Sequence, residues 1–210
     1  MSLAVPVRRP VLADLIARPS GRARAVALDA ALVVAGAAVV ALLAQVEVPL
    51  WPVPITGQTL AVVVVGAALG ARRGAAALVT YLLAGLAGLP VFAGFTGTVA
   101  ALAKPSFGFV IGFVFAAFVA GWFAERAWDR RPLLAFAGFV AASAIPFVFG
   151  IPYMAFILNV VGGGSFGVGE LLQFGLWPFI VGGLVKAALA ALLIPAAWAG
   201  VRAVDRRNNG

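Results

Sequence analysis

The chain has 210 residues, is 64% hydrophobic and only 10% charged, and carries a net charge of +8 with neither Cys nor His. Soluble domains are near half apolar and a quarter charged, so this composition excludes a water-soluble globule. The missing Cys and His exclude disulfides, thiolate chemistry, an imidazole base and metal sites built on those ligands. A basic chain can suit nucleic acid, but apart from Lys104 and Lys186 its basic residues stand at the ends of apolar segments, where they read as topology signals.

Mean hydropathy is +1.11. The apolar runs are long, rich in Leu, Val and Ala, and lack period-2 alternation, which predicts an all-α integral membrane bundle rather than an outer-membrane barrel. Residues 1–24 hold Arg8, Arg9, Arg18, Arg22 and Arg24 and read as a cytoplasmic tail with a short surface helix at 11–18. The first apolar run begins after that tail and is long enough to span, so it reads as a helix at 25–46 and not as a cleavable leader.

The stretch Pro49-Leu50-Trp51-Pro52-Val53-Pro54-Ile55-Thr56-Gly57-Gln58-Thr59 follows. Pro52 and Pro54 lack an amide N–H and push the residues before them to extended conformations, so this stretch is not helical. It brings Thr56, Gln58 and Thr59 to the mouth of an apolar segment, and we read it as the cover of a binding pocket. Further helices are expected at 59–71, 75–89, 106–124, 133–149 and 178–201. Between them lie a tight turn at Arg72-Arg73-Gly74, a Gly-rich loop at 91–105 ending in Lys104-Pro105, and a basic loop with Arg126, Arg130 and Arg131. Pro152 and Gly162-Gly163-Gly164 mark a long loop at 150–177, with room for a short helix at 153–161.

Six spans put both termini on one side. The tails, the 72–73 turn and the 126–131 loop then share thirteen arginines, ending with Arg202, Arg206 and Arg207, against Lys104 and the intrahelical Lys186. The positive-inside rule makes that side cytoplasmic. The expected organisation is a cytoplasmic tail at 1–24, a six-helix substrate-binding domain at 25–201 and a cytoplasmic tail at 202–210. The 45–58, 91–105 and 150–177 loops face outward and hold most of the non-basic polar residues and glycines, which points to a pocket open to the outside.

Lys186 sits about two turns into an apolar helix, in Gly182-Gly183-Leu184-Val185-Lys186. An ammonium there is costly and marks a cavity or a partner; it reads as the cation for an anionic ligand, against the alternative of snorkelling to the interface. Asp29 reads as an interfacial partner of Arg22 or Arg24, and Glu47 and Glu170 as solvated. Ala27, Ala31 and Ala35 repeat at a spacing of four and let another helix approach closely, in the bundle or outside it. Among the outer aromatics, Trp177 suits an interfacial belt, whereas Phe92 and Tyr153, beside Gly and Pro turns, suit a pocket wall. No G-x-x-x-x-G-K-[ST] phosphate loop is present, since Gly162–Gly169 runs into Glu170. There is no Ser/His dyad and no paired intramembrane carboxylate, so no catalytic residue and no cofactor is expected.

At this point the residues resemble a known family, the biotin-specific substrate-binding subunit (S component, BioY type) of energy-coupling-factor transporters. The resemblance rests on Pro52-Val53-Pro54-Ile55-Thr56-Gly57-Gln58-Thr59-Leu60-Ala61-Val62 and on Tyr81-Leu82-Leu83-Ala84-Gly85-Leu86-Ala87-Gly88-Leu89-Pro90-Val91-Phe92-Ala93-Gly94. A looser match follows at Pro105-Ser106-Phe107-Gly108-Phe109-Val110-Ile111-Gly112-Phe113, and then Pro178-Phe179 with Lys186. It implies a six-helix protein of the cytoplasmic membrane that binds biotin from outside under a lid between helices 1 and 2. It implies as partners a transmembrane coupling subunit docked on the Ala27/Ala31/Ala35 face and two cytoplasmic ATPases. With the residue readings above, the candidate ligand set is Lys186, Thr56, Gln58, Tyr81, Phe92, Phe109 and Tyr153. The family usually has an Asp three residues before the helix 6 Lys; here Gly183 stands there, and Asn159 is a candidate to supply the missing acceptor. Competing readings are a self-sufficient secondary transporter, an S component for another small anionic vitamin-like ligand, and a membrane assembly protein without a ligand.

Overall fold

The computed structural model describes residues 9–15 and 21–208. Arg8 and the last three residues of the predicted surface helix, 16–18 with Arg18, lie outside the described residues, as do the side chains from residue 205 on. The protein is almost entirely helical. In chain order, α1 spans Arg22–Ala44, α2 Gln58–Leu69, α3 Ala71–Leu86, α4 Phe107–Ala124, α5 Pro132–Ala155, α6 Val168–Gly175 and α7 Trp177–Asn208. Four helical stretches are long and apolar enough to cross a membrane: Arg22–Ala44, Phe107–Ala124, Pro132–Val161 and Val168–Val204. α2, with 12 residues, and α3, with 16, are shorter.

α4 is the centre of the bundle. It packs on α2, α3 and α5, while α1 lies outside against α3 and α2, and α7 closes the other side against α5 and α2. Small residues make this possible: a Cβ added to Gly66 on α2 would stand 2.4 Å from the Ala117 carbonyl oxygen of α4. The main core accordingly holds Ala61, Ala67, Ala77, Ala116, Ala117 and Ala120, all essentially without exposure.

Several boundaries differ from those predicted, each for a local reason. The turn expected at Arg72-Arg73-Gly74 lies at Gly70 instead, whose φ of 84° suits glycine. Arg72, Arg73 and Gly74 are the first turn of α3, and the Glu125 carboxylate takes the open Ala71 N–H at 2.9 Å. Pro152 does not end α5, which continues through Pro146 and Pro152 to Ala155 and then into a π turn over Phe156–Val161. Prolines inside helices are tolerated in membrane bundles, where neighbouring groups can take over the freed backbone positions. The separate helix at 153–161 is therefore a continuation of α5, and the loop beyond it contains α6. There Glu170 in the first turn accepts the Gly167 N–H at 2.9 Å. α7 runs past residue 201 because Val201 to Arg207 contains neither Pro nor Gly. The segment 9–15 is also no free tail: Val11 is fully buried, and Arg130 reaches the Pro10 carbonyl at 2.8 Å. Asp29 faces Arg73, 3.7 Å away, and Arg73 also pairs with Asp14. Arg73 therefore takes the place expected of Arg22 or Arg24.

The proline-rich stretch is non-helical, as predicted. Glu47–Val48 (β1) and Ile55–Thr56 (β2) pair antiparallel, Glu47 opposite Thr56, and the loop between them contains a cis Trp51–Pro52 bond. This small hairpin sits over the mouth of the bundle.

Candidate ligand-binding site

A cavity of about 610 Å³ opens beneath the hairpin, within the range of small-molecule sites. Its walls come from the hairpin, α2, α3, the loop at 92–96, α4, α5 and α7. Most of the lining is apolar, with a few polar groups converging on one side.

Those polar groups form a chain. The Lys186 ammonium donates to the Thr56 carbonyl oxygen, so α7 holds the root of the hairpin. The Thr56 hydroxyl donates to Gln58 Oε1 at 2.9 Å, and Gln58 Nε2 donates to the Tyr81 hydroxyl at 2.7 Å. Gln58 and Tyr81 are buried at the start of α2 and on α3. An amide and a phenol so deep need partners, and they satisfy each other. Lys186 is thus turned inward onto the lid and does not snorkel outward.

The aromatic walls are seated on glycines. Phe92 fills the place a side chain at Gly85 would take, whose Cβ would stand 2.1 Å from the ring. Its ring meets Tyr81 edge-on at 5.4 Å and Phe107 at 6.2 Å. Phe109 lies against Gly150 in the same way and stacks on Phe179 at 6.2 Å. Gln45, at the end of α1, fixes the 91–95 loop: its amide donates to the Val91 and Phe92 carbonyls and accepts the Phe95 N–H at 2.9 Å.

Of the residues singled out in the sequence, Lys186, Thr56, Gln58, Tyr81, Phe92 and Phe109 line the cavity together. Two do not. Tyr153 stands behind Phe107, its ring 6.1 Å away, and donates to the Leu102 carbonyl at 2.6 Å; α5 presents Ser143, Pro146 and Phe147 to the cavity instead. Asn159 lies beyond the cavity on the π turn, where its amide binds both the N–H and the carbonyl of Phe166 at 2.8 and 3.0 Å. It therefore does not stand in for the acceptor missing at Gly183. Gly183 itself lines the cavity, with no described atom within 4 Å of where its Cβ would be.

Sequence reasoning missed Ser143, Ser106, Thr96, Lys104 and Glu47, which also line the cavity, and gave Thr59 no role of its own. Thr59 also lines the cavity, and among the described residues its buried hydroxyl has no hydrogen-bond partner. Ala27, Ala31 and Ala35 are exposed along α1, on the side away from Gly36, Ala37 and Val40, which face the bundle.

Residues 17–203 match the sequence profile described as the BioY family. The chain is 39% identical over 175 residues to a biotin transporter BioY of Rhizobium etli, covering 80% of this chain and 87% of that protein. It is 35% identical over 150 residues to a biotin transporter BioY of Thermotoga maritima, covering 71% and 83%. Among solved structures, a crystal structure of the S component for biotin from an ECF-type ABC transporter superposes with a TM-score of 0.66 at 21% identity. That superposition covers 84% of this chain and 94% of the other, and it shows the shared fold. The chain belongs to the BioY family.

Proposed function

We infer that this protein binds biotin at the membrane and serves its uptake, as the S component of an ECF-type transporter. The observation that carries the reading is the convergence of Lys186, Thr56, Gln58, Tyr81, Phe92 and Phe109 on one cavity. Biotin offers a carboxylate, an apolar chain and a polar ureido ring. Lys186 serves one polar end, the walls of Phe92 and Phe109 take the apolar part, and Thr56 and Gln58 close over it. No bond is made or broken.

In this reading α2 and α3, about 18 and 24 Å long, are the two short members of a six-span bundle whose other members are α1, α4, α5 and α7. The arginine-rich ends of the bundle face the cytoplasm and the hairpin faces outward, as the positive-inside rule directs. The membrane is the cytoplasmic one. ATP is hydrolysed by two partner ATPases, in line with the missing phosphate loop. A transmembrane coupling subunit docks on Ala27, Ala31 and Ala35, whose small side chains lie exposed on α1. Uptake then requires the loaded protein to reorient, driven by the differing affinities of ligand and partner for its states.

Isothermal titration of the detergent-purified protein with biotin, and with biotin amide, tests this. Biotin should bind tightly and the amide more weakly. Lys186→Ala should weaken biotin by about 100-fold, the scale of losing one partner of a buried charge contact. Unchanged affinity in that variant would remove Lys186 from the site. No heat from biotin in a folded protein would point to another ligand, one that uses the open space at Gly183.

A further inference from the structure

The hairpin that covers the cavity is too small to hold itself in place. Each of its strands has two residues, and an isolated pair of strands is at best marginal in water. Its root is fixed by the Lys186 contact to Thr56. Its tip rests on a second apolar cluster, separate from the main core. Val53 is 5% exposed and packs there with Phe109 of α4, Met154 of α5 and Leu171 of α6. Trp51 lines the cavity and also leans on the far bank, with ring centroids 5.6 Å from Phe174 and 6.2 Å from Phe166. Phe166 and Phe174 in turn meet edge-on at 6.0 Å.

What presents Phe166 is Asn159. The chain from 162 to 167 includes Gly162, Gly163, Gly164 and Gly167, a composition with little preference for one conformation. The Asn159 amide binds both backbone groups of Phe166, as a partner strand would, and so ties this glycine-rich segment to the end of α5. The contact runs from Asn159 to Phe166, from Phe166 to Trp51, and from Trp51 to the roof of the cavity.

We propose that Trp51 and Val53 form the latch of the lid and that Asn159 is the positioning residue that holds its seat, so that undocking of the tip sets the rate at which bound biotin leaves. The choice of ligand rests on the proposed function; the latch itself rests on the packing just described. A latch of this kind acts on the closed, loaded state. Its loss therefore shows in the dissociation rate, while the rate of entry through the open mouth changes little.

The test is stopped-flow association and chase dissociation of biotin with the full-length protein in detergent. Trp51→Ala should raise the dissociation rate about tenfold, the size of one or two aromatic edge contacts, with the association rate nearly unchanged. Trp51→Phe keeps an edge for Phe174 and should stay near wild type. Asn159→Ala should raise the dissociation rate as Trp51→Ala does, and the double variant should rise no further, because the two act through one contact. Unchanged dissociation in both single variants, or full additivity in the double one, overturns the proposal.

A second measurement needs no ligand. The chain has no native Cys, so Val53→Cys with Leu171→Cys gives a clean pair for direct disulfide cross-linking under a mild oxidant. Cross-linking should be efficient and should fall when Asn159→Ala is added. Equal cross-linking with and without Asn159 would overturn the positioning role whatever the ligand is. Efficient, Asn159-dependent cross-linking in a protein that ignores biotin would instead retain the latch and reject the ligand.

Discussion

The two apolar clusters of this protein lie side by side and are built on opposite principles. In the main core, α2, α3 and α4 touch almost backbone to backbone, through Gly66 against Ala117 and Gly121 against Ala71. Many of the residues between them are alanines and valines with essentially no exposure, and the larger Leu78 and Tyr81 are buried with them. Under the hairpin tip the contacts are made instead by Phe, Met, Leu and Trp side chains, with Trp51 meeting its neighbours edge-on and tilted and still 66% exposed. Inside a membrane, close approach of small residues replaces the hydrophobic effect as the source of helix association. Such an interface has one arrangement. Aromatic edges and a flexible thioether tolerate several. The scaffold that shapes the cavity is thus closely packed, and the hairpin over its mouth is held by contacts of modest size.

The sharpest break of that contrast is Gly66→Val. Its Cβ would enter the Ala117 backbone, which cannot yield without separating α2 from α4. The variant should fail to give a folded, monodisperse protein in detergent size-exclusion chromatography; a folded variant with normal biotin affinity would show that the core is not rigid. A milder pair separates the two clusters directly. Val62→Ala, in the main core, should cost about 1–2 kcal/mol of stability through lost packing and the cavity it leaves and lower the melting temperature while leaving biotin affinity within a few-fold. Val53→Ala, at the lid seat, should do the reverse: a melting temperature near wild type and biotin binding weaker by about tenfold, the equivalent of about 1.4 kcal/mol.

How much of this was legible in the sequence follows the same division. The long apolar helices and the non-helical hairpin are local facts, written in hydropathy and in Pro52 and Pro54. Lys186 was legible because an ammonium in an apolar helix is costly wherever it points. Tyr153 and Asn159 were misplaced for a shared reason: the break expected between a helix ending at 149 and a short helix at 153–161 does not occur, and α5 runs through it. Once α5 continues through Pro152, the facing of each residue beyond it is set by helical phase, which turns Tyr153 towards Leu102 and carries Asn159 past the cavity. Ser143 was invisible because a serine within Ala141-Ala142-Ser143-Ala144 reads as one more small residue, and its facing depends on where α4 and α7 pack. Gln45 looked like a helix end, and its role requires the 91–95 loop, nearly fifty residues away, to be beside it.

The smallest predicted effect concerns a polar group at the edge of the closely packed cluster. Asp129, in the turn between α4 and α5, is 1% exposed and accepts a hydrogen bond from the indole of Trp198, a main-core residue, at 2.6 Å. Its other oxygen is buried with no partner among the described residues. Burial pushes the Asp129 carboxyl above the usual carboxylate range, against the opposing pull of the Trp198 hydrogen bond and the neighbouring Arg130. A group that holds its proton more tightly when folded contributes stability that is complete below its unfolded value, near 3.9. That stability is lost as pH rises through the folded value. Wild-type protein should therefore lose melting temperature as pH rises above about 4 relative to Asp129→Asn, which keeps an uncharged side chain of the same shape at every pH. A difference of about 2–4 °C corresponds to about 1 kcal/mol in a chain of this size, and differential scanning fluorimetry resolves it. Parallel curves for the two proteins would mean that Asp129 is as well solvated in the fold as out of it, and that the packing around Trp198 yields more readily than the backbone contacts of α2 and α4.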